Sequence, residues 1–229
     1  MKKQFHHYGI SLTSFEEERF FLLMKTFLEI NEHISLSSFH TEEAVIEKHF
    51  IDSLLPATYY DFTGKSLLDI GTGGGFPGLA LAIIGVANVS VLDSVGKKIK
   101  AVESMAKAID VPLTPLIGRI EDFGQQPAYR EQFDVVTARA LAPLPVLFEY
   151  ALPFVKLGGD FIAYLGPTAK DDFLDYKKEL TMLGGELSDW KEFNIGGAVR
   201  IIAVIKKIKK TPRAYPRQNG IPKKTPLSL

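Results

Sequence analysis

The sequence predicts an α/β domain built on a mostly parallel sheet that ends in an antiparallel hairpin. Three observations predict it. From Ser66 onward, short apolar strand candidates alternate with helical stretches. A glycine-rich loop joins the first of those strands to the first helix. The last two strand candidates stand too close together for a helical crossover. Apolar strands separated by helices form a parallel sheet covered on both faces.

The first sixty residues read as helical. Phe15, Leu22, Leu23, Phe27 and Ile30 recur at helix spacing, and Ser14 precedes a Glu-rich first turn as the expected N-cap. A second helix is expected from about Glu42 to Leu55, ended by Pro56, with Val45, Ile46, His49 and Leu54 near one face. Strands are expected at Ser66–Ile70, Val89–Asp93, Leu113–Ile117, Phe133–Ala138, Phe161–Leu165, Glu186–Phe193 and Arg200–Lys207. Helices are expected at Gly78–Ile84, Lys97–Ile109, Leu144–Val155 and Lys170–Leu183. Only Asn194–Val199 separates the last two strands, so they should pair as a hairpin. A parallel, seven-stranded sheet closed in this way is the architecture of Rossmann-like methyltransferases. The expected organisation is a helical extension over 1–60, the α/β domain over 61–208, and a basic, Pro-rich, irregular tail over 209–229.

Composition narrows the chemistry. The chain has no cysteine, which excludes disulfides, thiolate metal sites, iron–sulfur clusters and a cysteine nucleophile. No apolar run approaches the ~20 residues of a membrane span, so a cytoplasmic protein is expected. The net charge of zero conceals a split. Eight Lys or Arg and no acid lie from Lys206 to the end, leaving an equal acidic excess in the body. A basic end on an acidic body suits a polyanion partner, and it equally suits a solvated tail.

The strongest local signal is Leu67-Leu68-Asp69-Ile70-Gly71-Thr72-Gly73-Gly74-Gly75-Phe76-Pro77-Gly78. A buried strand runs into glycines and then a helix, a turn that lets a ligand approach the backbone. Gly73, Gly75 and Gly78 satisfy a bare G-x-G-x-x-G match, which keeps a nicotinamide enzyme in view. Asp69 weighs against it, because a carboxylate there opposes a pyrophosphate and suits the cationic S-adenosylmethionine. Pro77 also removes an N–H that would face a phosphate. Asp93, at the end of the second strand, is placed to accept from ribose hydroxyls or to cap the next helix. In Gly118-Arg119-Ile120-Glu121-Asp122-Phe123, Ile120 is expected to pack on the adenine and Glu121 or Asp122 to accept from its amine; a capped surface turn is the other reading. Arg139 follows an apolar strand at the substrate edge of the sheet. Its guanidinium would hold the cofactor carboxylate or an RNA phosphate, or pair with Asp69 or Glu121. No Asn/Asp-Pro-Pro-aromatic motif follows that strand, which disfavours methylation of an exocyclic adenine amine. The five histidines all precede residue 50, and His33, His40 and His49 read as helix or loop residues rather than ligands.

Taken together, these segments resemble the GidB/RsmG family of bacterial methyltransferases that act on guanine N7 of small-subunit ribosomal RNA. The marks are His49-Phe50-Ile51-Asp52-Ser53, the glycine loop, Leu92-Asp93-Ser94 with Lys97-Lys98, Thr137-Ala138-Arg139-Ala140, Leu183-Gly184-Gly185, Arg200, and Lys209-Lys210-Thr211-Pro212-Arg213-Ala214-Tyr215-Pro216-Arg217. The resemblance implies that Gly71, Phe76, Ile120, Glu121 and Arg139 line the cofactor pocket with Asp93 near the ribose; Asp69 and Gly73 of the loop complete the expected cofactor site, with Arg139 also acting in transfer. It implies that Arg200 lies toward the RNA; with it, Lys209, Lys210, Arg213 and Arg217 of the basic tail are expected to meet the phosphates of 16S ribosomal RNA or the 30S subunit, and a monomer without a metal is expected. Two segments depart from the family pattern: Leu165 stands where relatives carry a lysine, and Ser35-Leu36-Ser37 where they carry Asn-Leu-Thr.

Overall fold

The computed structural model describes residues 1–228; Leu229, the last residue of the expected tail, lies outside the described residues. The chain forms two compact units, Met1–Ile117 and Gly118–Leu229. Its sheet is seven-stranded and mostly parallel, with antiparallel C-terminal strands.

In the first unit, β1 (Leu67–Ile70), β2 (Val89–Asp93) and β3 (Thr114–Ile117) lie in the order β3-β2-β1. All pairings are parallel, with Leu67 opposite Val89 and Asp93 opposite Ile117. Every residue of β1 is buried, as a strand covered on both faces requires. The connecting helices are α5 (Gly78–Ile83) and α6 (Gly96–Ala108). In α6, Ile99, Val102, Met105 and Ala106 turn inward at helical spacing.

The N-terminal helices belong to the same unit. After α1 (Lys2–His7), α2 (Ser14–His33) packs on α5 and α6. Its inner face is Phe20, Leu23, Met24, Phe27 and Asn31, whereas Phe15 and Leu22, expected inside, are exposed. The cap is Thr13 rather than Ser14. Thr13 Oγ1 accepts from the Glu16 amide at 3.2 Å and Glu16 Oε2 accepts from the Thr13 amide at 2.7 Å, a reciprocal capping box. The alternative frame, Ser14 with Glu17, is occupied by Lys2, which binds both side chains. The helix expected over 42–55 is also modified. It consists of α3 (Glu42–Val45), a wider π turn over Ile46–Ile51 and α4 (Asp52–Leu54), followed by a 3₁₀ turn, Leu55–Thr58, that contains Pro56. The extra residue in the π turn brings Ile46, His49, Phe50 and Ile51 all to buried positions.

In the second unit, β4 (Phe133–Arg139), β5 (Val155–Leu165), β6 (Gly185–Ile195) and β7 (Ala198–Lys207) lie in the order β4-β5-β7-β6. β4 and β5 are parallel; β7 runs antiparallel to both β5 and β6. The predicted hairpin is tighter than the spacing suggested. Only Gly196 and Gly197 turn the chain, with φ of 55° and 78°, the left-handed pair that a two-residue hairpin loop demands. The segment after β3, expected to be a loop, forms α7 (Ile120–Gln125). α8 (Leu144–Ala151) stops short of the expected Val155 because Pro153 cannot continue a helix, and β5 therefore begins earlier than Phe161. The helix expected over 170–183 is two pieces, α9 (Ala169–Asp175) and α10 (Lys177–Met182).

The residues after Lys207 are largely irregular and exposed, as expected, but they are fastened to the body. They form a strap of turns ending in α11 (Ile221–Lys224), with Thr211, Pro216, Pro222 and Leu227 buried. Arg130 donates to the carbonyls of Gly124, Thr211, Pro212 and Tyr215 at 2.7–3.2 Å. The buried Lys207 ammonium donates to Thr211 Oγ1 at 2.7 Å and to the carbonyls of Leu152 and Val155. Side chains of the body thus satisfy the strap backbone that water would otherwise solvate.

Candidate functional site

The glycine loop is organised from beneath by Asp69. Its carboxylate is fully buried, and Oδ2 accepts from Thr72 Oγ1 at 2.6 Å and from the Gly78 amide at 3.0 Å. Asp69 was expected to face a ligand at the loop's mouth; instead it occupies an amide at the start of α5. Pro77, the residue before, contributes no N–H. At this helix start one N–H that a pyrophosphate could use is therefore spent on Asp69 and another is absent at Pro77. Gly78 itself is sterically fixed: a Cβ there would lie 2.8 Å from Val91 Cγ1 and 3.2 Å from Asp69 Oδ2.

Above that base, Gly73 has φ of 56° and its amide donates to Asp93 Oδ2 at 3.0 Å. Asp93 Oδ1 accepts from the Val95 amide at 2.9 Å. Asp93 is therefore a bridge from the end of β2 to the loop, and the N-cap of α6 is Val95. A carboxylate offers about four acceptor positions, so each Asp93 oxygen retains one for a ligand hydroxyl. A Cβ at Gly73 would meet only the Gly71 carbonyl at 3.9 Å, leaving open space over the loop.

Phe76 closes the loop against the N-terminal helices. Its ring stacks on His49 with centroids 4.7 Å apart and planes 8° from parallel, and packs edgewise on Phe27. His49 Nε2 meets Ser37 Oγ at 2.9 Å. Asn31 Oδ1 accepts from the amides of Leu36 and Ser37, both at 2.9 Å. The Ser35-Leu36-Ser37 segment is thus wired to the underside of the loop. The His49 contact was missed in the sequence because the π turn, not an α period, aims the ring.

In the second unit, Ile120 and Glu121 open α7, and both are buried. Glu121 Oε1 accepts from Tyr150 Oη at 3.1 Å and from the Gly220 amide at 3.0 Å. Burial, reinforced by Glu121, raises the Tyr150 hydroxyl well above its usual range, which keeps it a donor. Neither Tyr150 nor Gly220 carried a sequence signal. Asp122, offered as an alternative acceptor, is exposed. Arg139 is the last residue of β4, in register with Tyr164 of β5. The next residue, Ala140, has φ of 52°, a left-handed conformation that a non-glycine residue adopts at a cost and that gathers at functional sites. Arg200 donates to the Leu165 carbonyl at 3.4 Å, at the carboxyl end of β5. Lys209, Lys210 and Arg213 are exposed on the strap. Arg217 is placed differently from those cations. Its Nε and Nη2 grip the wholly buried Glu149 at 2.6–3.1 Å, and its amide donates there as well.

Comparison with known proteins places this geometry in context. The sequence model described as GidB, rRNA small subunit methyltransferase G, matches residues 16–200. Ribosomal RNA small subunit methyltransferase G of Desulfitobacterium hafniense (strain Y51) is 42% identical over 223 residues, covering 96% of this chain and 92% of the relative. The protein of that name from Lactobacillus acidophilus is 39% identical over 227 residues, covering 96% and 95%. Among solved structures, the ribosomal protein L11 methylase of Lactobacillus delbrueckii subsp. bulgaricus superposes with a TM-score of 0.56 at 16% identity, over 75% of this chain and 81% of that one. It shares the fold.

Proposed function

This chain belongs to the GidB family, rRNA small subunit methyltransferase G, and from that premise we propose that it transfers the methyl group of S-adenosylmethionine to N7 of a guanine in 16S ribosomal RNA. The observation that carries the cofactor reading is the Asp69 carboxylate bonded to the Gly78 amide. The position that binds a dinucleotide's pyrophosphate in the G-x-G-x-x-G fold is filled by the protein's own anion. A ligand without phosphates and with a cationic sulfur suits that loop.

When bound, S-adenosylmethionine supplies a methyl group already activated on a sulfonium. Asp93, with one acceptor position remaining on each oxygen, receives the ribose hydroxyls. Ile120 and Glu121 receive the adenine, and Phe76 fixes the loop from below. Arg139, held at the strand end, engages the cofactor carboxylate or the RNA backbone. Guanine N7 presents a lone pair, so no residue is required as a general base; the contribution of the chain is alignment and exclusion of water. Lys209, Lys210 and Arg213, with Arg200 at the end of β5, meet phosphates. Arg217 is withdrawn from that set because Glu149 holds its guanidinium. The reading has the chain act in the cytoplasm as a monomer; among the described residues no helix is long and apolar enough to cross a membrane.

The test is tritiated-methyl transfer to naked small-subunit RNA and to intact subunits, with nucleosides analysed by mass spectrometry. Label in 7-methylguanosine is expected. Label in another nucleoside contradicts the acceptor, and calorimetric binding of NAD in place of S-adenosylmethionine contradicts the cofactor. Arg139→Ala is expected to reduce transfer at least tenfold while the chain stays folded; full activity removes Arg139 from the mechanism.

A further inference from the structure

We propose that the C-terminal strap is part of the cofactor site, with Tyr150 and Gly220 acting as positioning residues for Glu121. The proposal rests on the S-adenosylmethionine reading above. Glu121 is 5% exposed, and its Oε1 is shared by two donors, Tyr150 Oη and the Gly220 amide. One donor stands on α8 and the other lies 99 residues downstream of Glu121. The two bonds fix the carboxylate plane and direct Oε2 away from both donors, as the acceptor left for a ligand amine. Oε2 is the atom that must be aimed if Glu121 is to read an exocyclic amine.

The strap is built to hold that aim. Glu149 and Tyr150 are adjacent on α8: Glu149 clamps Arg217 of the strap, and Tyr150 clamps Glu121. Three residues after Arg217, Gly220 turns the chain with φ of 81° into α11 and delivers its amide to Oε1. A cavity of about 560 Å³ lies between α7 and the strap, lined by Glu121, Gln125, Pro216, Arg217 and Gln218 among others. The strap that positions Glu121 is therefore also a wall of the space beside it. An acid needed only to fasten the strap would be served by the Gly220 amide alone, whereas a second donor from α8 converging on the same oxygen orients the other. Such support of a contacting group by its neighbours is what makes a binding geometry precise.

A double-mutant cycle on the full chain tests this. Calorimetry would give S-adenosylmethionine affinity for the wild type, Glu121→Ala, Tyr150→Phe, Gly220→Ala, and each of the last two combined with Glu121→Ala. Tyr150→Phe removes one oxygen. Gly220→Ala places a Cβ where nothing lies within 4 Å but in a strained φ, so both variants should fold, as thermal melting would verify. Each is expected to weaken binding about five- to tenfold in the wild-type background, a coupling of about 1 kcal/mol. Neither should weaken it more than about twofold once Glu121 is alanine. The weakening should also vanish for S-inosylhomocysteine, which has no exocyclic amine, relative to S-adenosylhomocysteine. Equal losses in both backgrounds, or no loss in the first, overturn the positioning role. Unchanged binding by Glu121→Ala removes Glu121 and the proposal together. A folded wild type that binds no S-adenosylmethionine overturns the cofactor reading itself.

Discussion

Truncating Arg217 to alanine removes three of the four hydrogen bonds that reach Glu149, leaving only the residue 217 amide. The magnitude depends on where the surviving carboxylate sits. Glu149 has no exposed surface, while the Arg217 side chain is 24% exposed. An exposed ion pair contributes about 0–1 kcal/mol, but stranding a buried charge costs about 3–5 kcal/mol. A chain of this length loses about 2–4 °C of melting temperature per kcal/mol. Arg217→Ala is therefore expected to melt about 6–20 °C below the wild type, where a surface pair would give under ~4 °C. Fluorimetric melts in low and high salt separate the cases further, because a desolvated pair is screened little. The double variant Glu149→Met/Arg217→Met should recover most of the loss, since a buried pair replaced by apolar side chains of similar size is often neutral. A single-variant loss below about 4 °C, or a double variant no better than the single, refutes the view that this pair anchors the strap.

Three further outcomes follow from the geometry. Gly78→Ala drives a Cβ against Val91 and Asp69 at 2.8 and 3.2 Å; overpacking of about 1–3 kcal/mol should exceed the helix-propensity gain of about 1 kcal/mol, with a lower melting temperature and weaker S-adenosylmethionine binding by calorimetry. His49→Ala removes the ring stacked on Phe76; it is expected to cost more than the ~0.5–1.5 kcal/mol of the stack itself, because a hole remains under the loop, and a denaturant midpoint unchanged from the wild type would argue against that support. Burial pushes the Lys207 ammonium down to about 8, against the pull of Glu131. The unfolded chain holds that proton more tightly, so the contribution of Lys207 to stability rises as pH climbs from about 8 toward 10.5 and is lost as pH falls through the lower value. The melting-temperature difference between wild type and Lys207→Met should accordingly be larger near pH 9.5 than near pH 7, and a flat difference contradicts the assignment.

The parts of the molecule legible in the sequence are those governed by local rules. The alternation of apolar strands and helices gave the sheet, and the short link Asn194–Val199 gave its hairpin, because burial on two faces and turn length are written in neighbouring residues. The glycine loop was legible for the same reason: Gly73 and Gly75 need positive φ, with values of 56° and 95°. What escaped the sequence depends on partners far away along the chain. Ser14 and Thr13 fit the capping pattern equally, and the choice between them is made by Lys2. The strap reads as an irregular, solvated tail from its Pro and Lys content, since composition cannot show that Arg130, Glu131 and Glu149 meet its backbone.

The same limit explains why the charge of Asp69 was legible but its action was not. A carboxylate beside a glycine loop opposes a phosphate whether it faces the ligand or lies beneath the loop, so composition alone favours the same cofactor in both cases. The two placements differ in what a substitution does. A ligand-facing acid changed to alanine would lose affinity and keep its loop. An acid that accepts from Thr72 and Gly78 holds the loop's shape. Both donors meet the same oxygen, Oδ2, so replacing Asp69 by alanine leaves the Thr72 hydroxyl and the Gly78 amide unmet together, and the loop itself should loosen. Because Gly78 begins α5 and Thr72 lies in the turn before it, the residue that excludes a pyrophosphate is also the one that shapes the loop's floor. Ligand choice and loop structure are therefore set by one buried carboxylate.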